Sequence, residues 1–299
     1  MGSNLIERLL PEGNEILVID NFATGKREVV PPVDGLKLVE GTIADVSLVN
    51  DCFEEFAPEV VIHSAAAYKN PNDWEEDTAT NVAGTIHVAK ASERAKVRRL
   101  VNFQTALCYG RPDCVPIPIN HPERPFTSYG ISKTAGERYL LSSGLPVVSL
   151  RLANVTGPRL AIGPIPTFYQ RLKAGKSCFC SDTRRDFLDM KDFFSVMEVV
   201  LQPESPLGVF NVSTGESRSI KDVFDAVSKY LDITPEEPPP IVPPGDDDVP
   251  EVVLDPSETE RVLGWKAAVG FEETIHRMLA WYDAHGVSTV YSHLSAMKT

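Results

Sequence analysis

The chain has 299 residues, 42% of them apolar and 24% charged, the proportions of a globular protein with one large α/β unit or two ordinary domains. Its formal charge of −13 argues against a nucleic-acid partner, which needs a basic face. No stretch approaches the ~20 apolar residues of a membrane span, and Glu7 and Arg8 interrupt the one N-terminal apolar segment, so neither a membrane anchor nor a signal peptide is expected.

Residues 4–10 read as a helix. Short apolar runs follow at 16–19 (ending in Asp20), 36–39, 60–63, 100–103 and 147–152. Helical patterns fill most of the gaps, at 46–56, 74–96 and 128–141. Such alternation predicts βαβ units around a parallel sheet, an α/β, doubly wound, Rossmann-like fold. After Gly157-Pro158 the pattern changes. A helix is expected over 164–172, where the prolines suit a first turn. Strands are expected over 177–180 and 209–212, and a Ser219-capped helix over 219–231. Residues 235–250 read as an extended Pro- and Asp-rich loop, with further elements at 252–254, 258–263 and 271–282. The expected division is 1–156 for the doubly wound domain and 157–299 for a smaller α/β substrate domain, with 188–215 returning to the first sheet. Cys52, Cys108, Cys114, Cys178 and Cys180 are odd in number and scattered. None has zinc spacing, so reduced thiols, no metal and a cytoplasmic location are expected.

A doubly wound half starts with a strand, a glycine-rich turn and a helix whose N-terminus holds pyrophosphate. Here Met1-Gly2-Ser3-Asn4 reads as the last glycine of such a turn and the start of its helix. The first strand, central in the order 3-2-1-4-5-6, is not found, so its two neighbours are expected to stand unpaired beside a trench. A gene start placed late, a shortened product and a natural remnant without dinucleotide all account for this. The first is favoured because a full catalytic set remains.

That set centres on Tyr129-Gly130-Ile131-Ser132-Lys133. Residues i and i+4 share a helix face, so Lys133 can lie beside Tyr129. A phenol titrates near ~10, and a neighbouring ammonium is expected to lower it and make a general base for a sugar hydroxyl. Thr105 ends the fourth apolar run.

These motifs resemble the extended short-chain dehydrogenase/reductases of the NAD-dependent epimerase/dehydratase family. The resemblance is carried by Asp20-Asn21-Phe22-Ala23-Thr24-Gly25, His63-Ser64-Ala65-Ala66, Asn81-Val82-Ala83-Gly84-Thr85, 105–110, Tyr129 with Lys133, 154–159, Arg185-Asp186-Phe187 and 211–215. Within the family it is similar to UDP-sugar 4-epimerases, above all those of the WbmG type from bacterial O-antigen clusters. The resemblance implies NAD as cofactor, a UDP-linked hexose or hexuronic acid as substrate, and a homodimer built on the helices at 74–96 and 128–141. By the same resemblance, Asp20 binds the adenosine ribose and Asn21 lies along the adenosine, although Asp20 can equally be a turn former. Gly2, Ala65 and Ala66 border the cofactor, Asn81 tethers the catalytic strand, and Tyr129 and Lys133 also meet the nicotinamide end. Thr42, followed by Ile43, stands where the family often has an adenine-contacting aspartate.

Dehydratases of the family carry two acids where this chain has Ala106-Leu107, which leaves Thr105, Tyr129 and Lys133 as a minimal set for oxidation and reduction at one carbon. Cys108 is expected to face away on the strand. Asn154 and Arg185 match residues that meet the substrate diphosphate, although Arg185 can instead pair with Asp182 or Asp189. Pro243 replaces a phosphate-binding arginine, while Asp246 keeps a carboxylate for ribose. Lys69, Arg159 and Arg184 are candidates for a sugar carboxylate. A 4-keto-sugar reductase using the same three residues, and a non-catalytic paralogue, remain alternatives.

Overall fold

The computed structural model describes residues 1–30 and 32–287. They form two compact units. The first comprises Met1–Cys108, Pro125–Arg151 and Met197–Phe210, and the second Tyr109–Arg124, Leu152–Val196 and the residues from 211 on. Relative to a division at 156, residues 109–124 group with the second unit and residues 197–210 with the first.

In the first unit, β1 (Ile16–Asp20) pairs in parallel with β2 (Leu36–Glu40), Ile16 opposite Leu36 and Asp20 opposite Glu40. A second sheet contains β3 (Val60–His63), β4 (Arg99–Thr105), β5 (Val147–Leu152) and, at its far edge, Gly208–Val212, in that spatial order. The doubly wound order is therefore interrupted. β2 and β1 take places three and two, β3 begins place four, and no described strand stands between β1 and β3. The effect on burial is direct: every residue of the apolar strand β1 is only half-buried, whereas all six of β5 are buried.

The helices of this unit are α1 (Gly2–Leu9), α2 (Val46–Phe56), α3 (Trp74–Asp77), α4 (Thr85–Ala95) and α5 (Ser128–Leu141). Asp45 caps α2 by accepting from the amides of Ser47 and Leu48, and Thr127 caps α5 by accepting from Gly130. The single helix expected over 74–96 is instead α3, a π-helical turn at Thr78–Gly84, and α4. Packing accounts for the wider turn. A Cβ on Gly84 would stand 2.7 Å from Ile43 Cγ1, and one on Gly136 of α5 would stand 2.4 Å from the Asn81 carbonyl oxygen. The backbone of 78–84 is thus pressed against its neighbours on both sides, over a core of Ile43, Val49, Val88, Leu100, Leu140 and Val147.

In the second unit, β6 (Asn154–Thr156) pairs in parallel with β9 (Phe187–Asp189). β7 (Cys180–Ser181) and β8 (Arg184–Arg185) precede β9, and β10 is the Gly208–Val212 strand already met. β8 lies between β11 (Arg218–Ser219) and β13 (Glu251–Val252), while β7 pairs with β12 (Ile241–Val242). The strand expected over 177–180 is thus confined to its last residue and Ser181, and the loop at 235–250 contributes a strand of its own. Helices α6 (Pro164–Lys173), α7 (Met190–Val200), α8 (Ile220–Leu231), α9 (Ser257–Leu263) and α10 (Phe271–His285) complete the chain. Ser219 and Asp222 form a reciprocal capping box at α8. Phe168, Phe224, Val223, Ile275 and Leu279 lie at the heart of this unit's core. All five cysteines are free, and among the described residues no helix is long and apolar enough to cross a membrane.

The contact at Gly136 offers a test. Gly136→Ala pushes a methyl group into a carbonyl that cannot rotate away, and is expected to destabilise the protein by about 1–3 kcal/mol in denaturant unfolding.

Candidate active site

Tyr129 and Lys133 lie one turn apart on α5, as their spacing predicts. The first turn of this helix rests on the turn that follows Thr105: a Cβ on Gly130 would be 3.0 Å from the Leu107 carbonyl oxygen. Gln104, at the end of β4, joins the two segments. Its Nε2 donates to the Lys133 carbonyl at 3.0 Å and its Oε1 accepts from the Thr105 amide at 2.7 Å. Thr105 Oγ1 accepts from Leu107 N at 3.2 Å. β4 ends there, so Ala106–Tyr109 form a 3-10 turn and not a strand continuation; Cys108 is fully buried in that turn.

Asn81 uses both ends of its amide. Nδ2 donates to the Ala67 carbonyl at 2.9 Å and to Ser132 Oγ at 3.0 Å, and Oδ1 accepts from Ala67 N at 2.8 Å. The segment after β3 is thereby fastened to the π turn and to α5. Thr85 donates to the Asn81 carbonyl at 2.7 Å, so at 2.8 Å it accepts from His63 Nε2, which fixes the proton on that nitrogen.

The electrostatics differ from the sequence expectation. Burial pulls the Lys133 ammonium down to about 8, with Glu137 opposing. Burial pushes the Tyr129 phenol up, and the nearby Tyr68 and the Asp77 carboxylate add to it. Tyr129 is half-buried by surface. Tyr68 leans on it with ring centroids 6.1 Å apart and planes at 59°. The expected lowering of Tyr129 by Lys133 is therefore not what the structure shows. The low dielectric around the oxygen outweighs the cation one turn away.

Gly2 begins α1 beside the end of β3, where its Cβ would stand 3.5 Å from Ser64 Oγ. Ala65 and Ala66 follow, both half-buried. Asp20 ends β1 and accepts from Phe22 N at 2.8 Å, while Asn21 accepts from Ala23 N at 3.1 Å. Both side chains thus shape the turn they stand in, which carries Phe22 at φ 52°. Thr42 is likewise a turn residue, its Oγ1 accepting from Ala44 N at 3.1 Å, and Ile43 is a core residue against Gly84.

The profile described as the NAD dependent epimerase/dehydratase family matches residues 1–213. The chain belongs to the NAD-dependent epimerase/dehydratase family. It is 30% identical to the UDP-glucose 4-epimerase of Mycolicibacterium smegmatis, over 94% of this chain and 95% of that one. The crystal structure of the Bordetella bronchiseptica enzyme WbmG in complex with NAD and UDP superposes at a TM-score of 0.95 with 67% identity, covering 99% of this chain and 95% of that one. The same organism's WbmH, in complex with NAD+, gives 0.89 and 42%, with 96% of each chain covered.

As a family member the chain takes NAD as its cofactor, and the donor set of the first unit fits that group. Asp20 is a carboxylate at the end of β1, suited to ribose hydroxyls. Gly2, Ala65 and Ala66 present little side-chain volume at the end of β3, and Tyr129 and Lys133 on α5 would supply polar atoms to the other end of the group.

The residues matched to the substrate lie in the second unit, except Thr105. Arg185 pairs with Asp248, and not with Asp182 or Asp189; its Nη1 donates to the Arg184 carbonyl at 2.7 Å. Asp189 pairs with Arg277 at 3.2 Å. Asn154 gives both its amide hydrogen and its Nδ2 to the Asp186 carbonyl, at 3.1 and 2.9 Å, so it braces the turn that carries Arg185. The Asp186 carboxylate accepts from Thr214 N, Thr214 Oγ1 and Gly215 N; burial nevertheless raises it to about 6. The Asp246 carbonyl accepts from Arg111 Nη2 at 2.7 Å, which brings a guanidinium to the stretch where Pro243 removed one. Arg184 is committed to Ser217 and lies 3.7 Å from Glu251. Lys69 donates to the Ala23 carbonyl at 3.3 Å, and Arg159 stands at φ 67°. Sequence reasoning gave no role to Gln104, Ser132, Tyr68, Glu137 or Arg111. The spacing 129, 133, 137 was a readable signal for Glu137; the others depend on tertiary contacts.

His63 supplies a pH test. Its buried ring stays neutral down to about pH 3, pushed there by burial and by Lys133, whereas the unfolded imidazole protonates below about 6.5. Its contribution is thus fully present above the unfolded value and is lost as pH falls through this window. Stability measured by urea unfolding between pH 7 and 4 is expected to fall less steeply in His63→Gln than in the parent.

Proposed function

We propose that this chain is an NAD-dependent UDP-sugar 4-epimerase that works through a transient 4-keto sugar. The Gln104 bridge carries this reading: one amide locks the Thr105 end of β4 to the Lys133 turn of α5. The acids that a dehydratase needs are replaced by Ala106 and Leu107. Relatives named as UDP-glucose 4-epimerases, aligned over nearly the whole chain, support the same reading.

In this mechanism Tyr129 accepts the proton of the C4 hydroxyl and later returns it. Thr105 hydrogen-bonds the same oxygen. Lys133 stabilises the phenolate. Bound NAD supplies the hydride acceptor and donor, and its oxidised ring adds positive charge. That charge matters because burial alone holds the Tyr129 proton firmly. The 4-keto sugar turns between the two half-reactions, so no cofactor is consumed.

Arg185 is the proposed partner of the UDP diphosphate, with Asn154 setting its turn. Arg111 takes the place of the cation missing at 243, and Asp246 reaches the substrate ribose. Cysteine usage supports a cytoplasmic setting. A homodimer through the helices at 74–95 and 128–141 is supported by exposed apolar side chains there: Trp74 at 67%, Ile131 at 52% and Tyr139 at 54%.

Tyr129→Phe is expected to lower turnover by about 10²–10⁴-fold while NAD binding, read by fluorescence, is kept. UDP-glucose and UDP-glucuronic acid serve as paired substrates, and preference between them separates the hexose and hexuronic readings. Turnover close to that of the parent would remove Tyr129 as the base.

A further inference from the structure

Residues 129, 133 and 137 stand four apart on α5, so Tyr129, Lys133 and Glu137 follow one another along a single face. Glu137 is fully enclosed. Its Oε2 meets Arg151 Nη2 at 2.8 Å, its Oε1 accepts from Ser149 Oγ at 2.5 Å, and Arg151 Nε lies 3.4 Å from the same oxygen. Asn102 Nδ2 donates to Ser149 Oγ at 2.9 Å. Two adjacent strands, β4 and β5, thus send Asn102, Gln104, Ser149 and Arg151 into a polar seam beneath α5, all of them buried.

We propose that Glu137 is a positioning residue for the reaction: its carboxylate, anchored by Arg151 and Ser149, keeps the Lys133 side chain cationic inside the protein, and Arg151 limits how strongly it does so. This rests on the reading of Lys133 as the working cation.

The seam holds one cation, Arg151, and one anion, Glu137, which stands one helical turn from Lys133. A buried Arg–Glu pair by itself does little for stability, since apolar residues of similar size serve as well. A buried ammonium without a counter-charge, however, gives up its proton. Glu137 is the one carboxylate on the face that carries Lys133. The other groups around it do not take its place. His63 at the end of β3 is neutral, and Lys133 itself helps to keep it so. Asp77 at the end of α3 accepts from Ser128 at 2.6 Å and acts on Tyr129, as does Tyr68. β4 offers amides, and its Arg99 donates to the carbonyls of Pro203 and Ser205. On α4, His87 turns to the Ile43 carbonyl, and Lys90, Glu93 and Arg94 are exposed.

The test is the titration of Lys133, read from its 13Cε shift in lysine-labelled protein and assigned with Lys133→Arg. The pH profile of kcat/KM is read beside it. Glu137→Gln is expected to move both downward by about one pH unit or more, a tenfold loss of ammonium above the midpoint. Arg151→Met is expected to move both upward. A purely structural role predicts no such opposed shifts. Because Glu137→Gln leaves Arg151 without its carboxylate partner, the double variant Glu137→Gln/Arg151→Met removes both charges; its titration is expected below that of Arg151→Met. A titration of the folded double variant no lower than that of Arg151→Met overturns the proposal. If the titration moves and kcat/KM does not follow it, Glu137's effect on Lys133 stands and the catalytic reading of Lys133 falls.

Discussion

The low dielectric around α5 governs the chemistry of the first unit. In water a phenol and an ammonium titrate within about half a unit of each other, near 10. Inside this unit the two move apart: Lys133 falls to about 8 and Tyr129 rises. Burial thus disfavours the charged form of both groups. In the proposed mechanism Tyr129 would act as the base once further positive charge is nearby, and NAD, the cofactor of the family, would bring such a charge in its oxidised ring. On that reading proton removal and hydride acceptance would be linked by electrostatics, because the form of the cofactor that accepts hydride is also the form that would favour the phenolate.

Such a linkage requires that the participants cannot drift. The structure meets that need with backbone contacts and amides more than with ion pairs. Gln104 and Asn81 each use a planar side chain to tie two segments, one from a strand end and one from a helix. The π turn at 78–84 puts Asn81 in reach of both Ala67 and Ser132. Wider turns of this kind inside helices are often found at functional sites. Gly84 and Gly136 permit the approach on either side, which is why a methyl group at the latter is so poorly accommodated.

The sequence was most readable where one physical requirement leaves a periodic mark. Strands covered on both faces need continuous apolar runs, so 60–63, 100–103 and 147–152 could be placed without coordinates. The i, i+4 rule brought Tyr129 and Lys133 together, and the unfilled place in the sheet order foretold the break between β1 and β3. It was least readable where partners lie far apart in the chain. Arg185 had Asp182 and Asp189 close by, yet it pairs with Asp248, 63 residues on, because β8 and β13 lie side by side. The residues of the π turn, Thr78 to Gly84, carry no proline and no local sign of their geometry, which comes from Ile43 and α5. The shift of Tyr129 was misjudged because spacing reveals a neighbouring cation but not the depth of burial.

On the proposed reading, an acidic chain must hold an acidic ligand, which sets a related problem for the residues of the second unit. With a net charge of −13, its long-range field repels a diphosphate. On that reading recognition would depend on a few cations whose direction is fixed beforehand. Arg185 is held by Asp248 and by the Arg184 carbonyl, on a turn braced by Asn154 and by the amides around Asp186. Arg111 is held by the Asp246 carbonyl. A guanidinium fixed in this way loses little rotamer freedom when an anion arrives, and its planar fork already suits oxygen pairs. The carboxylate that orients Arg185 also competes with the incoming anion. Local pre-orientation and local competition together, more than overall charge, would then set how tightly a diphosphate is held.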